Sequence, residues 1–415
     1  MNQKIILDGF KYLNSIQNVD KGIPATKEGD SSGCWTSAET LETILLSPYN
    51  DYKYFLFAKD IIKFLLNTQI DKTIDKGSWP LLKGRDRGSA MATGHAVSAL
   101  SLANDIFKDD VQLSQKISSS INDALIWLNN TQNKDGGWGV EPSDSGNGNL
   151  SRVISTVYVL RGYITHGFNY DNNKTVRSAI NYIKTLKKDD AGFSGGIGGE
   201  SDPCYTARAI IALVKTKAYS PQNKYIKESI SYIIKNKNNK GIWNLDTEPY
   251  IPDNSSGQVV YNSNTVADVL EALSVTGRYN KNARKLESWF MKTQEHDGKW
   301  YLGANKRSHV STWSTNEALY SLICTELYFT NVKYPYIMKL IAWYKKALIS
   351  LLILLFISLV LPVNIISLSW IINLWDKIPE NWQNIILGTI IFGTIVNLFS
   401  AYITKYMPWK KKEKV

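Results

Sequence analysis

Cysteine and histidine are scarce in this chain, and each scarcity excludes something. Three cysteines in 415 residues, Cys34, Cys204 and Cys324, cannot all pair, so a disulfide-stapled secreted scaffold is ruled out. Four histidines (His95, His166, His296 and His309) leave few ways to assemble an imidazole metal site. The opening MNQKIILDGF lacks the apolar core of a signal peptide. Together with the cysteine usage, it predicts a reducing, cytoplasmic setting for the first part of the chain. The 48 Lys and Arg exceed the 37 Asp and Glu, for a net charge of +11, yet the excess is spread thinly and no basic stripe interleaves with aromatics. A nucleic-acid partner is therefore not expected.

What is abundant is self-similarity. Six times an aromatic residue with a glycine one or two places before it is followed by a helix start rich in Ser, Thr and Ala. The clearest copy is TQNKDGGWGVEPSDSGNG, with Gln132, Asp135, Gly136, Gly137 and Trp138 in a row. The others centre on Trp35, Trp79, Phe193, Trp243 and Trp300, with helix starts at Thr36, Thr93, Thr156, Thr206, Thr265 and Thr315. Those starts lie 50 to 63 residues apart, room for two helices and two loops. A fixed period of this length means stacked units that bury their apolar faces on one another. Within a unit, SSSINDALIWLNNTQ has the spacing of an amphipathic outer helix, and TARAIIALV that of a small-residue inner helix. The Thr at each inner start is expected to cap its helix, and the Trp to close the turn with a Gln amide near its ring. Six hairpins closing on themselves make an all-α (α/α)6 toroid over residues 1–335.

From residue 336 the composition changes. Two uncharged runs, one from Ala347 and one from Asn384, are each long enough to span a bilayer and place candidate membrane helices at about 345–371 and 384–404. Lys339, Lys345 and Lys346 precede the first, and a Lys-rich tail follows the second. The positive-inside rule places both flanks in the cytoplasm. Residues 336–415 are thus expected to form a two-pass membrane anchor, with the toroid and the tail on the cytoplasmic side.

The QxxDGGW form at Gln132–Trp138, with weaker copies at Gln69–Trp79 and Gln294–Trp300, resembles the repeats of squalene–hopene cyclases and other class II terpene cyclases. It is similar also to the repeats of protein prenyltransferase β subunits. The resemblance covers about the first 330 residues and implies a toroid with a greasy central cavity. Class II cyclases carry D-x-D-D-T-A at an inner-helix start, the middle Asp being the acid that protonates an alkene. Here the run is Asp202, Pro203, Cys204, Tyr205, Thr206, Ala207, and a thiol is far too weak an acid for that step. The run looks more like the D-x-C-Y of prenyltransferases, in which the Asp and Cys bind zinc with a His one repeat later. In this chain that later place is Asn264, a poor zinc ligand; His309 lies one repeat further on. No cofactor is expected, and zinc is not.

Asp202, Cys204 and Tyr205 are the candidate catalytic residues. Glu39, His95, Asn264, Asp268, His309 and Glu317, near inner-helix starts, are the candidate cavity lining. Two functions stay open on these residues. One is a membrane-tethered toroid that binds or acts on an isoprenoid or other apolar, lipid-like molecule. The other is a non-catalytic, membrane-anchored scaffold for a protein or peptide partner. If it is an enzyme, the resemblance implies prenyltransferase- or cyclase-like chemistry.

Overall fold

A computed structural model describes residues 3–49, 52–143, 146–237, 243, 265–278, 280–301 and 311–333, all within one compact unit, Met1–Tyr334. Twelve α-helices are described there, alternating between two rings. The inner ring holds α2 (Cys34–Leu46), α4 (Ala90–Ile106), α6 (Val153–Thr165), α8 (Pro203–Lys215), α10 (Thr265–Val275) and α12 (Thr312–Lys333). The outer ring holds α1 (Gln3–Ser15), α3 (Tyr52–Thr68), α5 (Val111–Asn130), α7 (Lys174–Thr185), α9 (Lys224–Lys235) and α11 (Lys281–Thr293). Each inner helix packs on the next, and α12 returns to α2 and α1, so the ring closes. Two antiparallel hairpins of two-residue strands, β1 (Ile23–Pro24) with β2 (Ser32–Gly33) and β3 (Phe193–Ser194) with β4 (Ser201–Asp202), are the strands among the described residues.

The corners explain the repeated signature. Trp79, Trp138, Trp243 and Trp300 are fully buried, and each indole N–H donates to a carbonyl near the end of its outer helix: Leu65, Leu128, Ile233 and Phe290. The backbone N–H of Trp79, Trp138, Phe193 and Trp300 donates to the hydroxyl of Thr93, Thr156, Thr206 and Thr315. These threonines therefore do not cap their helices as expected. They lie inside the first turn and staple it to the corner, where a buried amide would otherwise lack a partner. Nor do the Gln amides sit on the Trp rings. Gln69, Gln132 and Gln294 donate to the corner carbonyls of Gly77, Gly136 and Gly298 and to Ser120, Thr175 and Ile5 on the following outer helix. The last of these contacts joins repeat six to repeat one. Gly136 shows why glycine is required: its φ is +94°, and a Cβ there would meet the Ser178 carbonyl oxygen at 2.3 Å.

The first repeat is in a different register from the one the sequence suggested. Trp35 is not a corner residue but lies in the first turn of α2. The corner is Ile23, whose N–H donates to Ser37 Oγ at 2.9 Å, so Ser37 rather than Thr36 is the staple. Among the described residues no helix is long and apolar enough to cross a membrane. The expected spans at 345–371 and 384–404 lie outside the described residues.

Candidate functional site on the toroid axis

With the staples as reference, the inner helices align and their axial side chains fall into layers. The reference residues are Ser37, Thr93, Thr156, Thr206 and Thr315; by the same register α10 contributes Val266. Two positions after them stand Glu39, His95, Tyr158, Arg208, Asp268 and Glu317. Five positions after them stand Glu42, Ser98, Arg161, Ile211, Glu271 and Tyr320; nine after, Leu46, Leu102, Thr165, Lys215, Val275 and Cys324. Steps of three and four residues keep one face of a helix turned to the axis.

The first layer is charged and almost dry. Arg208 Nε is 3.0 Å from Asp268 Oδ2, and its Nη2 is 3.4 Å from Glu317 Oε1. His95 Nε2 lies 3.3 Å from Glu39 Oε1, and the His95 ring tilts against Tyr158 at 4.0 Å. In the second layer Arg161 bridges Glu42 (3.5 Å) and Glu271 (3.3 Å), while Ser98 Oγ donates to Glu42 at 2.7 Å. Lys215 Nζ lies 2.6 Å from Glu271 Oε1. A void of about 20 Å³ between the layers has room for a water and little more. A smaller one, about 10 Å³, lies under Trp35 and Trp313, whose rings meet edge to face at 6.4 Å.

Burial sets the protonation states. It pushes the Glu39 carboxyl well above its usual range, and the neighbouring Glu317 adds to the effect. Burial also holds His95 well below the usual imidazole value, helped by Arg161 and Arg208. Glu42 is raised by burial against the pull of Arg161, and Asp268 likewise against Arg208. For Glu271 burial works upward, but Lys215 and Arg161 win and the carboxyl is lowered. At the Glu39–His95 contact burial therefore disfavours the charged form of both partners.

The greasy, aromatic cavity that the resemblance implied is not what these residues build. The aromatic faces on the axis already carry cations: Arg161 stands 3.9 Å over the Tyr320 ring, and Arg208 5.2 Å from the Tyr158 centroid. The fold nonetheless has clear relatives. The model of the squalene–hopene cyclase C-terminal domain matches residues 151–312. Type II terpene cyclase MstE from Scytonema superposes with a TM-score of 0.51 at 15% identity, covering 79% of this chain and 100% of its own. A variant of the same cyclase in complex with geranylgeranyl dihydroxybenzoate gives 0.52 at 14%, covering 79% and 98%. Cellobiose 2-epimerase from Bacillus thermoamylovorans gives 0.54 at 12%, covering 79% and 99%. The fold is a terpene cyclase-like α/α toroid. No curated protein matches at the level of sequence.

Of the candidate residues, Glu39, His95, Asp268 and Glu317 come together in the first layer. Asn264 and His309 lie outside the described residues. Asp202 is the N-cap of α8: its Oδ1 accepts from the N–H of Cys204 (2.7 Å) and Tyr205 (3.3 Å). Cys204, two residues before its staple, turns instead to the axis, where its thiol donates to Asp268 Oδ2 at 3.3 Å. Tyr205 packs on Gly195. Among the described residues no group of three His, Cys, Asp or Glu side chains could hold a metal ion. Sequence reasoning missed Glu42, Tyr158, Arg161, Arg208, Lys215, Glu271 and Tyr320. Their signal was a charged or hydroxylated residue two or five positions after most staples, and for Lys215 nine positions after, within otherwise small and apolar helices.

Proposed function

We propose that this toroid binds an isoprenoid or other lipid-like small molecule, that the charged axis handles the polar group of that molecule, and that residues 336–415 tether the domain to a membrane. The observation that carries the reading is a set of three deeply buried polar atoms, Glu39 Oε2, His95 Nδ1 and Arg208 Nη1, that have no hydrogen-bond partner among the described residues and all lie on residues of one layer. Leaving such atoms unmet costs about 1–3 kcal/mol each, and apolar residues would close the axis at less cost. Unmet groups at that depth mark a place where something else binds. A terpene cyclase of the same fold held with a prenylated benzoate supports the lipid-like ligand class.

The chemistry open to Glu39 follows from its surroundings. A carboxyl held neutral by burial is a weaker acid than a free one, so it does not protonate an isolated alkene. It can give its proton to an oxygen or nitrogen, with His95 accepting and returning a proton across their shared contact. The second reading, a non-catalytic binding module for a protein or peptide, is favoured by Asp202 being occupied as a helix cap and by Cys204 in the place of the cyclase acid. Mass spectrometry of lipid extracted from the detergent-purified protein separates the two. A stoichiometric isoprenoid or lipid, retained but no longer converted by Glu39→Gln, supports the first. A protein partner without lipid supports the second.

A further inference from the structure

A further opening lined by the axial helices lies at the end opposite the first-layer candidate residues. At the C-terminal ends of the inner helices is a cavity of about 310 Å³, walled by Leu46, Leu102, Ile164, Val275 and Leu327. Its floor holds Arg161, Lys215 and Glu42. At about 30 Å³ per non-hydrogen atom it takes roughly ten, the size of a short isoprenoid chain.

The floor is not electrically even. The side chains of Lys215 and Arg161 are 27% and 14% exposed, whereas those of Glu271 and Glu42, their partners, are only 5% and 2% exposed. Lys215 and Arg161 are thus the more open charged groups of the floor; Glu271 stands behind them, and Glu42, though on the floor, is nearly covered. Lys215 has three N–H donors and spends two, on Glu271 and on Tyr320 OH. Arg161 directs two nitrogens at Glu42 and Glu271 and carries five N–H groups in all. Spare donors on two cations, at the bottom of an apolar well, suit an anion with a greasy body.

We infer that this cavity binds an anionic amphiphile, a carboxylate or phosphate monoester on a chain of about ten carbons, with its head on Lys215 and Arg161 and its chain against Leu46, Leu102 and Val275. The inference rests on the lipid-like reading above only for the apolar body; the head chemistry and the location are its own. Geranoate is the chosen occupant, and geranyl phosphate separates carboxylate from phosphate.

The test is isothermal titration calorimetry of the full-length protein in detergent with geranoate, geranyl phosphate, geraniol and geranylamine. Geranoate or geranyl phosphate should bind at least about tenfold tighter than geraniol or geranylamine. Lys215→Met should remove that preference while leaving geraniol unchanged, and Leu102→Trp should abolish binding of all four. Val275→Met, a smaller intrusion, should weaken all four if Leu102→Trp fails to fold. Geranylamine or geraniol binding as tightly as the anions overturns the head assignment and leaves the lipid-like reading standing. Wild-type affinity in both cavity-filling variants, or binding of none of the four compounds, overturns the site itself. Lipid extracted from the purified protein then tests the broader reading separately.

Discussion

Arg208 is the residue whose removal tests the electrostatic account of the axis most directly. Its guanidinium is 2% exposed and holds two acids, Asp268 and Glu317, whose side chains are themselves largely buried. Arg208→Met keeps much of the volume but takes the shared cation away from both carboxyls. Breaking a buried ion pair from one side costs about 3–5 kcal/mol, far more than the pair contributes over an apolar substitute. The loss depends on pH with a definite sign. Asp268 already has a raised folded value, burial outweighing Arg208, and without the guanidinium it rises further. A carboxyl whose folded value lies above its unfolded one, about 3.9, destabilises the fold at higher pH and ceases to do so once protonated in both states. The deficit of the variant should therefore be greatest near neutrality and shrink as pH falls toward about 4. Urea unfolding followed by tryptophan fluorescence, at several pH values and with an unchanged denaturant slope, measures it. Adding Asp268→Asn and Glu317→Gln to the variant should recover most of the loss. A variant within about 1 kcal/mol of wild type at pH 7, or a deficit that grows in acid, would refute the reasoning.

Three further outcomes are expected. Thr156→Val, nearly isosteric, leaves the buried Trp138 N–H without an acceptor and should cost about 1–3 kcal/mol in the same unfolding assay, whereas Thr156→Ser should retain most of the stability. Asp202→Ala removes the α8 cap and should cost about 0.5–2 kcal/mol, with Asp202→Asn close to wild type; loss of ligand turnover in the Asn variant with stability intact would return Asp202 to the list of catalytic groups. Burial raises the Glu39 carboxyl well above its usual range and so favours its neutral form, and Glu39→Gln should match or exceed wild-type stability at pH 7. A large destabilisation of Glu39→Gln would show that the carboxyl is ionised in the fold.

The hairpin period, the ring and the corner tryptophans were legible in the sequence because they are local. A Gln, an Asp, a glycine at positive φ and an aromatic fall within one turn of chain, and the same backbone geometry recurs wherever they do. The first repeat shows the limit of that reading. With Ile23 in the aromatic's place, the eye moves to the Gly-Cys-Trp at Trp35, and only the Ile23–Ser37 hydrogen bond corrects the register. The D-x-C-Y run was likewise visible, but not what its side chains do. Asp202 is drawn to the free N–H groups of its own helix, while Cys204, two residues on, faces the axis.

The axis itself was decided by tertiary structure. Glu39, Arg208, Asp268 and Glu317 are separated by as many as 278 residues in the chain, and each reads alone as a single charge on a small-residue helix. Closure of six hairpins brings Arg208 within hydrogen-bonding reach of Asp268 and Glu317, sets Glu39 beside them, and takes all four out of water together. That shared burial, which no single helix can supply, pushes the Glu39 carboxyl up and the His95 imidazole down from their usual ranges. Sequence alone determined how each repeat folds; the ring determined which charges meet, which remain unmet and at which end a ligand can enter.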